Sequence, residues 1–523
     1  MRKSGFHVAA LILLAVLLAT NFYRAATQSI VHDEALTWQF YLSGSAAAIF
    51  HSFTANNHFL ATVLFKISST LFGTSELAIR LPTVLAGAWF YWTVFRLCAL
   101  VLGDGWLFLL GCAAISLNPL LLDFMVAARG YGLAIAGLFW ALYEMLSWFH
   151  DHGNAMAEPF LQKRLWKAAL GCSIAVATNL TFVIPVTILA LAFCVLIVRS
   201  TKTAAAESEP LSAPVAKTRK KNKKPKPAAA RRPASPYAPL VHFIVPVILL
   251  ALVFLLTAPI DLARNEDFYA GLPTAMRSLR DLVDSSFAYG SASAMQKIER
   301  ISANFALIFL PSIALAALIV ALLMSKSIAK KTRSMGELAT LLASLSAVGS
   351  AILLLVAHVV EGIPYPENRT GIYFIPLATL AALGLARLLT EHPGFSRWMG
   401  FAVAAICLCL AVEFAVQWNV QSFLVWRYDA DTKRIFEALE KAPKPPGQIR
   451  LGVSWVLEPS LNFYRDVRHA TWLMPVQRDG VGGLRQFYVG TAEDQNTALW
   501  SGLKPIFKGP VSGTALAVPQ AAQ

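Results

Sequence analysis

Charge is scarce in this chain. Of its 523 residues only 14% are Asp, Glu, Lys or Arg, against about 25% in an ordinary soluble protein. Acidic groups are the scarcer sign, 30 against 45 basic, for a net charge of +15. A water-soluble fold is excluded, because 56% of the residues are hydrophobic and too few polar groups remain to solvate a surface. Runs of alternating polar and apolar residues are also missing, which argues against an outer-membrane barrel. Cysteine is sparse: the six residues Cys98, Cys112, Cys172, Cys194, Cys407 and Cys409 all fall in apolar blocks, and none stands at metal-ligand spacing from a His. They read as small buried hydrophobes, with no disulfide expected and no metal site. The positive excess does not point to nucleic acid, since much of it lies in one linker, Lys217 to Arg232, between hydrophobic blocks.

What is present is a series of long apolar blocks, and they define a polytopic α-helical membrane protein. Eleven spans are expected, near 6–23, 82–102, 106–122, 131–148, 165–180, 182–198, 239–258, 303–324, 337–357, 371–390 and 399–417. Met1-Arg2-Lys3 and the first block resemble a signal peptide, but no clear cleavage site follows, so the first helix is expected to stay attached. With Arg2 and Lys3 inside, parity puts the basic loops 199–238 and 325–336 inside as well, in agreement with the positive-inside rule. The inner loop 199–238, rich in Ala, Pro, Lys and Ser, is expected to be disordered. The transmembrane domain is placed at 1–417, with a first outside loop at 24–81. A small α/β domain outside the membrane follows at 418–523. In it, Asp431-Thr432 is expected to cap a helix carrying Ile435, Phe436 and Leu439, and the segments around 449–453 and 486–489 read as strands.

The first outside loop holds the most informative residues. His32-Asp33-Glu34 follows the first span directly, and charges beside a bilayer cost free energy unless they pair or work. Neighbouring residues on a helix diverge by about 100°, so one carboxylate of the pair can face a cavity and the other cannot. Asp33 is the expected working carboxylate, with Glu34 in support; a helix cap is the bland alternative. Ala46 to Phe50 and Leu60 to Leu71 are too short to span, and the spacing of Leu60, Val63, Leu64, Ile67 and Leu71 predicts helices lying in the interface.

These strings, His32-Asp33-Glu34-Ala35, Asn57-His58 and Leu71-Phe72-Gly73-Thr74-Ser75-Glu76-Leu77-Ala78-Ile79-Arg80-Leu81-Pro82, resemble the C-type membrane glycosyltransferases. More narrowly, they resemble the bacterial branch related to dolichyl-phosphate-mannose protein mannosyltransferases and aminoarabinose lipid A transferases. Asn118-Pro119-Leu120-Leu121, Ala128-Arg129-Gly130-Tyr131 and, more weakly, Arg369 to Pro376 extend the match. The resemblance implies a polyprenyl-phosphate sugar donor, an acceptor hydroxyl on a lipid, glycan or protein, inverting transfer, and a site on the outer face of the bacterial cytoplasmic membrane. It departs at Ala127, where relatives carry an acid; Asp123, one helical turn earlier, either replaces that acid or caps the third span. The Pro that usually follows the His is Phe59 here.

Under that resemblance the candidate catalytic residues are Asp33, Glu34 and Asp123. The candidate substrate-binding residues are His58, Arg129, Tyr131 and Arg369. Arg129 and Arg369 either fork onto a phosphate or snorkel to lipid headgroups, with Tyr131 in the aromatic belt. His58 offers a nitrogen to a phosphate or to a divalent cation, the one cofactor left open. Arg264, Glu266, Asp267 and Tyr269 either shape an acceptor site or form a solvated face. The competing class is a transporter or flippase without chemistry, which calls for internal repeats and charges at mid-membrane. No repeat is present, and most charged motifs gather at the outer face.

Overall fold

In hydrocarbon a chain without a closed barrel must bond its backbone within helices. The computed structural model describes residues 4–154, 156–208, 237–262, 271–287, 293–327 and 334–520, and these are mainly helical. After α1 (Gly5–Thr27) come three short or interfacial elements and a long one: α2 (His32–Thr37), α3 (Ala47–His51), α4 (Phe59–Phe72) and then α5 (Glu76–Leu102). Next are α6 (Trp106–Ser116), α7 (Pro119–Phe124), α8 (Gly130–Gly153), α9 (Glu158–Thr178) and α10 (Val183–Ser208). The set continues with α11 (Ala238–Thr257), α12 (Ala275–Phe287), α13 (Ser293–Ser327), α14 (Met335–Glu361), α15 (Phe374–Glu391) and α16 (Phe395–Val416).

Among the described residues nine helices are long and apolar enough to cross a membrane: α1, α5, α8, α10, α11, α13, α14, α15 and α16. Two of the expected spans take another form. The third is broken at Asn118, whose side chain accepts from Leu121 N–H and starts α7, with Pro119 in its first turn. The fifth, α9, carries Glu158, Lys163, Arg164 and Lys167 in its first half. Both still travel between the two faces. Asp104, just before α6, bonds Ser4, while Asp123 in α7 bonds Arg24 near the far end of α1. Arg164 bonds Glu144 and Asp151 low on α8, while Thr178 abuts Gly130 at its top. By length and apolarity the eleven expected spans are therefore nine among the described residues, with α6–α7 and α9 packed alongside them.

The fifth helix begins earlier than Pro82 suggested. Ser75 accepts from Ala78 N–H and Glu76 sits in the first turn, so helix runs through the proline. Pro82 cannot donate to the carbonyl of Ala78, four residues back. Ser68 Oγ donates to that carbonyl instead, at 2.5 Å. The early start places Arg80 on a buried helical face rather than in a loop. The interfacial reading of the first loop matches α3 and α4; Ile67, Leu71 and Phe72 on α4 are exposed. The sixth expected span continues to Ser208. Most of the basic linker and the Arg264–Tyr269 group lie outside the described residues.

Beyond α16 the chain forms a small mixed sheet with two helices. The helices are α17 (Thr432–Lys441) and α18 (Glu458–Val467); the strands are β1 (Leu451–Val453), β2 (Phe487–Gly490), β3 (Leu503–Lys508) and β4 (Ala515–Pro519). Strand order is β1-β2-β4-β3, with β1 parallel to β2 and the other pairs antiparallel. Ile435, Phe436 and Leu439 form the buried stripe of α17. Asp431 does not cap that helix with its side chain. It accepts instead from the backbone of Val511 and Ser512, tying the helix start to the turn before β4.

The top of α8 is packed without slack. A Cβ at Gly130 would strike the carbonyl of Thr178 and approach His58. Gly130→Ala is therefore expected to cost about 1–3 kcal/mol, the usual range for overpacking. Gly44→Ala, whose Cβ meets nothing within 4 Å, is the control. Thermal unfolding of the two purified variants checks the difference, and equal midpoints would refute it.

Candidate active site

Asp33 and Glu34 sit in the first turn of α2 and point different ways, as a 100° step requires. Glu34 points inward and is fully buried. Its two oxygens accept from Arg80 Nε and a second guanidinium nitrogen at 2.9 and 2.5 Å, and from the backbone N–H of Val31 and Ala128 at 3.1 and 2.5 Å. Arg80 spends its other donors on the carbonyls of Gln28 and Ser29. Asp123 is closed off in the same way, by Arg24 at 2.5 Å and the N–H of Leu424 at 2.7 Å. Arg24 and Arg80 both lie over the Phe423 ring.

Asp33 points the other way and keeps 12% of its side chain exposed. Arg369, just before α15, donates to its Oδ2 at 2.9 Å, and Arg129, just before α8, stands 3.6 Å from the same oxygen. Burial alone would raise the carboxyl, but the Arg369 and Arg129 guanidiniums outweigh it and hold Asp33 below its ordinary value. Arg129 is 2% exposed and is steered by Asn56 Oδ1 at 2.6 Å and Thr37 Oγ1 at 3.3 Å. Arg369 lies over the Trp426 ring at 5.4 Å. The Nε atoms of both arginines are buried and lack a hydrogen-bond partner among the described residues.

His58 and Tyr131 complete the group. Their rings meet edge to face at 5.4 Å, and the Tyr131 hydroxyl lies against Arg369. Burial first, then the nearby charges of Arg129 and Arg369, push His58 well below its usual value, so its imidazole is neutral. Its Nε2 is buried and has no hydrogen-bond partner among the described residues. The loop carrying Arg369 is held in an uncommon shape. Asn368 has φ +49°, its N–H donates to Asp281 at 2.5 Å, and its amide donates to Ser285 at 2.7 Å.

The structure thus brings Asp33, His58, Arg129, Tyr131 and Arg369 into one cluster, at the face where α1 ends and α8 and α15 begin. It places Glu34 and Asp123 behind that cluster, inside ion pairs. Sequence reasoning did not single out Arg80, Arg24, Asn56, Thr37, Trp426 or Asp429. Arg80 was the readable one, since an Arg inside a string of otherwise apolar residues at a span's start needs a partner. Among the described residues no group of three or more His, Cys, Asp and Glu could hold a metal ion. Two guanidiniums beside one carboxylate form a setting that attracts anions.

The C-terminal segment closes the back of α2. Asp429 accepts from the backbone N–H of His32 at 2.7 Å and from Thr432 Oγ1 at 3.1 Å. Tyr464 accepts from Ile30 N–H and donates to Glu76. His32 Nδ1 meets the carbonyl of Val456 at 2.6 Å.

No family model matches the chain, and a comparison with curated proteins gives no match. Solved structures similar to it include ArnT from Cupriavidus metallidurans bound to undecaprenyl phosphate, at 12% identity and TM-score 0.48 over 98% of each chain. The apo state of that protein is similar at 11% identity and TM-score 0.49 over 97% of each chain. The archaeal oligosaccharyltransferase AglB from Archaeoglobus fulgidus, in complex with an inhibitory peptide and a dolichol-phosphate, is similar at 12% identity and TM-score 0.41, over 94% of this chain and 70% of that one. With scores below one half, the chemistry of this chain has to be argued from its own side chains.

Asp429 supplies a prediction with a defined sign. Burial raises its carboxyl to about 8, against the stabilising donors of Ser460, His32 and Thr432. Above pH ~4 the unfolded chain releases this proton and the folded chain keeps it until about 8. The folded state then binds more protons, so this group's contribution falls as pH rises through that window. Asp429→Asn should be progressively more favourable relative to the parent between pH 5 and 8. Denaturation of both proteins across that range measures it; a constant difference would refute the buried neutral acid.

Proposed function

We propose that the chain is an inverting glycosyltransferase that moves a sugar from a polyprenyl-phosphate donor to an acceptor hydroxyl of a lipid, glycan or protein. The proposal places it in the bacterial cytoplasmic membrane, with its site and C-terminal segment on the outer, periplasmic face. The observation that supports this most directly is Asp33 flanked by Arg129 and Arg369, both with an unpartnered Nε, at the end of membrane-crossing helices. A lipid-borne phosphate reaches that depth with its tail still in the bilayer.

The step is a single displacement. The acceptor oxygen attacks the sugar's anomeric carbon from the side opposite the phosphate. The carbon–oxygen bond to phosphate breaks, its electron pair stays on the phosphate, and the acceptor's proton passes to Asp33. Arg129 and Arg369 offset the charge that grows on the leaving phosphate. The same arginines hold Asp33 ionised but weakly basic. A phosphate that engages them draws off part of that field, and Asp33 becomes a better base when the donor is bound. Neutral His58, with a free Nε2, offers a hydrogen bond to the sugar or the acceptor. Glu34 and Asp123, which the sequence offered as catalytic, serve in this reading to position Asp33 and the α7–α8 turn.

Asp33→Asn keeps size and removes the base. Transfer from a labelled polyprenyl-phosphate sugar should fall by about 10²-fold or more, with normal membrane insertion. Near-parental turnover in a folded variant would remove Asp33 from this role. Mass spectrometry of envelope lipids and glycans with and without the gene tests the function itself, and identical glycan profiles would count against it.

Arg129→Ala should weaken donor binding more than it lowers stability. Arg129→Lys should recover only part of the affinity, because it keeps charge and loses the planar fork. Unchanged affinity for the labelled donor in Arg129→Ala would shift the phosphate to Arg369 alone.

A further inference from the structure

The face opposite the site carries a second organised cluster of charge. α5, α8 and α9 frame a half-open cavity of about 200 Å³ between them. Its apolar walls are Trp89, Trp92, Trp140 and Tyr143, with Trp89 and Trp140 edge to face at 5.1 Å. Its charged groups are Arg96, Arg164, Lys167 and Glu144.

These charges do not balance. Glu144 is 2% exposed and is already engaged by Arg164 at 2.8 Å and Lys167 at 3.5 Å. Arg164 also holds Asp151 at 2.9 Å, just outside the lining. Three cations thus meet one carboxylate in the cavity and a second at its edge. Arg96 has no acidic partner among the described residues. It donates to the Tyr143 hydroxyl at 2.9 Å and stands over the Trp92 ring at 5.9 Å, so it is aimed rather than dangling.

The depth of the cavity says what could balance it. Phe95, next to Arg96, packs on His7 in the first turn of α1 at 5.6 Å. Arg96 therefore lies at the level where α1 enters the membrane, the headgroup level of the leaflet opposite the site. Trp92 is 56% exposed beside it, as an aromatic-belt residue facing lipid would be. We propose that this cavity is a binding site for the phosphate of an anionic phospholipid headgroup from that leaflet, held by Arg96 with Lys167, its glycerol end against the tryptophans. Acyl chains would run along the exposed apolar flank of α5, where Leu85 is 60% exposed. The inference uses the membrane placement of the helices and is independent of the glycosyl-transfer reading.

The test uses the full-length protein in nanodiscs with equal amounts of phosphatidylcholine and phosphatidylglycerol, released into native mass spectrometry. The parental protein should retain phosphatidylglycerol in preference to phosphatidylcholine. Arg96→Gln, which keeps a donor for Tyr143, should lower that preference by about tenfold, the scale of one lost charge-assisted hydrogen bond. Lys167→Gln should lower it less. Millimolar inorganic phosphate should not displace the lipid. If Arg96→Gln does not fold, Trp92→Leu, which alters only an exposed wall, should still reduce retention of either lipid. Equal retention of both lipids by the parent, or an undiminished preference in folded Arg96→Gln, overturns the site. Displacement of lipid by inorganic phosphate overturns the headgroup assignment.

Discussion

The Glu34–Arg80 pair is the constraint on which the rest of the site depends. Both side chains are fully buried, a placement that is costly unless every lone pair and N–H is used. Here that condition is met: Glu34 also receives two backbone N–H groups, and Arg80 also reaches the carbonyls that end α1. Three segments are joined at one point: the exit of α1, the start of α5 and the turn before α8. With α2 locked by Glu34, Asp33 has one direction left. With Ala128 locked by the same carboxylate, Arg129 follows at a set distance from Asp33. Loss of either member of a buried pair typically costs about 3–5 kcal/mol, and here it would also release both site residues.

A second layer of contacts keeps this arrangement from rotating as a unit. Asp429, Tyr464 and Val456, all beyond the last membrane helix, bind the backbone or ring of Ile30 and His32. Phe423 supplies an aromatic face to Arg24 and Arg80 together. The C-terminal segment is thus the rear wall of the α2 turn. Arg369 arrives from yet another part of the chain, on a turn strained at Asn368 and pinned by Asp281 and Ser285 on α12. Strain of this kind persists only where surrounding bonds outweigh it, and here it aims one guanidinium at Asp33.

The two charged clusters sit at opposite ends of the helical layer, and each matches its depth. At the site face, one carboxylate and two guanidiniums leave an excess of positive charge with free donors. At the other face, the Arg96 cavity does the same with aromatic walls. Between them the helices are apolar, since an unpaired charge at mid-bilayer has no solvent to call on. Charge is rare in this chain because each charged group needs water or a buried partner, as Glu34 finds Arg80 and Asp123 finds Arg24.

The amino-acid sequence by itself determined the class of fold, because hydropathy is a local property and twenty apolar residues must become a span. It also determined the interfacial α3 and α4, the α17 stripe, and Asp33 as one of two diverging carboxylates. Local rules failed where a distant group rescued the backbone: Pro82 looked like a helix start, but Ser68 takes over the Ala78 carbonyl and the helix begins at Glu76. They failed at Asp431 for the same reason, since the partners of its carboxylate are 80 residues away. Only the tertiary structure decided the roles within the acidic pair and around it. Glu34 finds Arg80 at a separation of 46 residues, and Asp33 finds Arg369 at 336. A carboxylate becomes a buried strut or stays partly exposed according to which guanidinium reaches it and whether water still can, and neither is written in its neighbours along the chain.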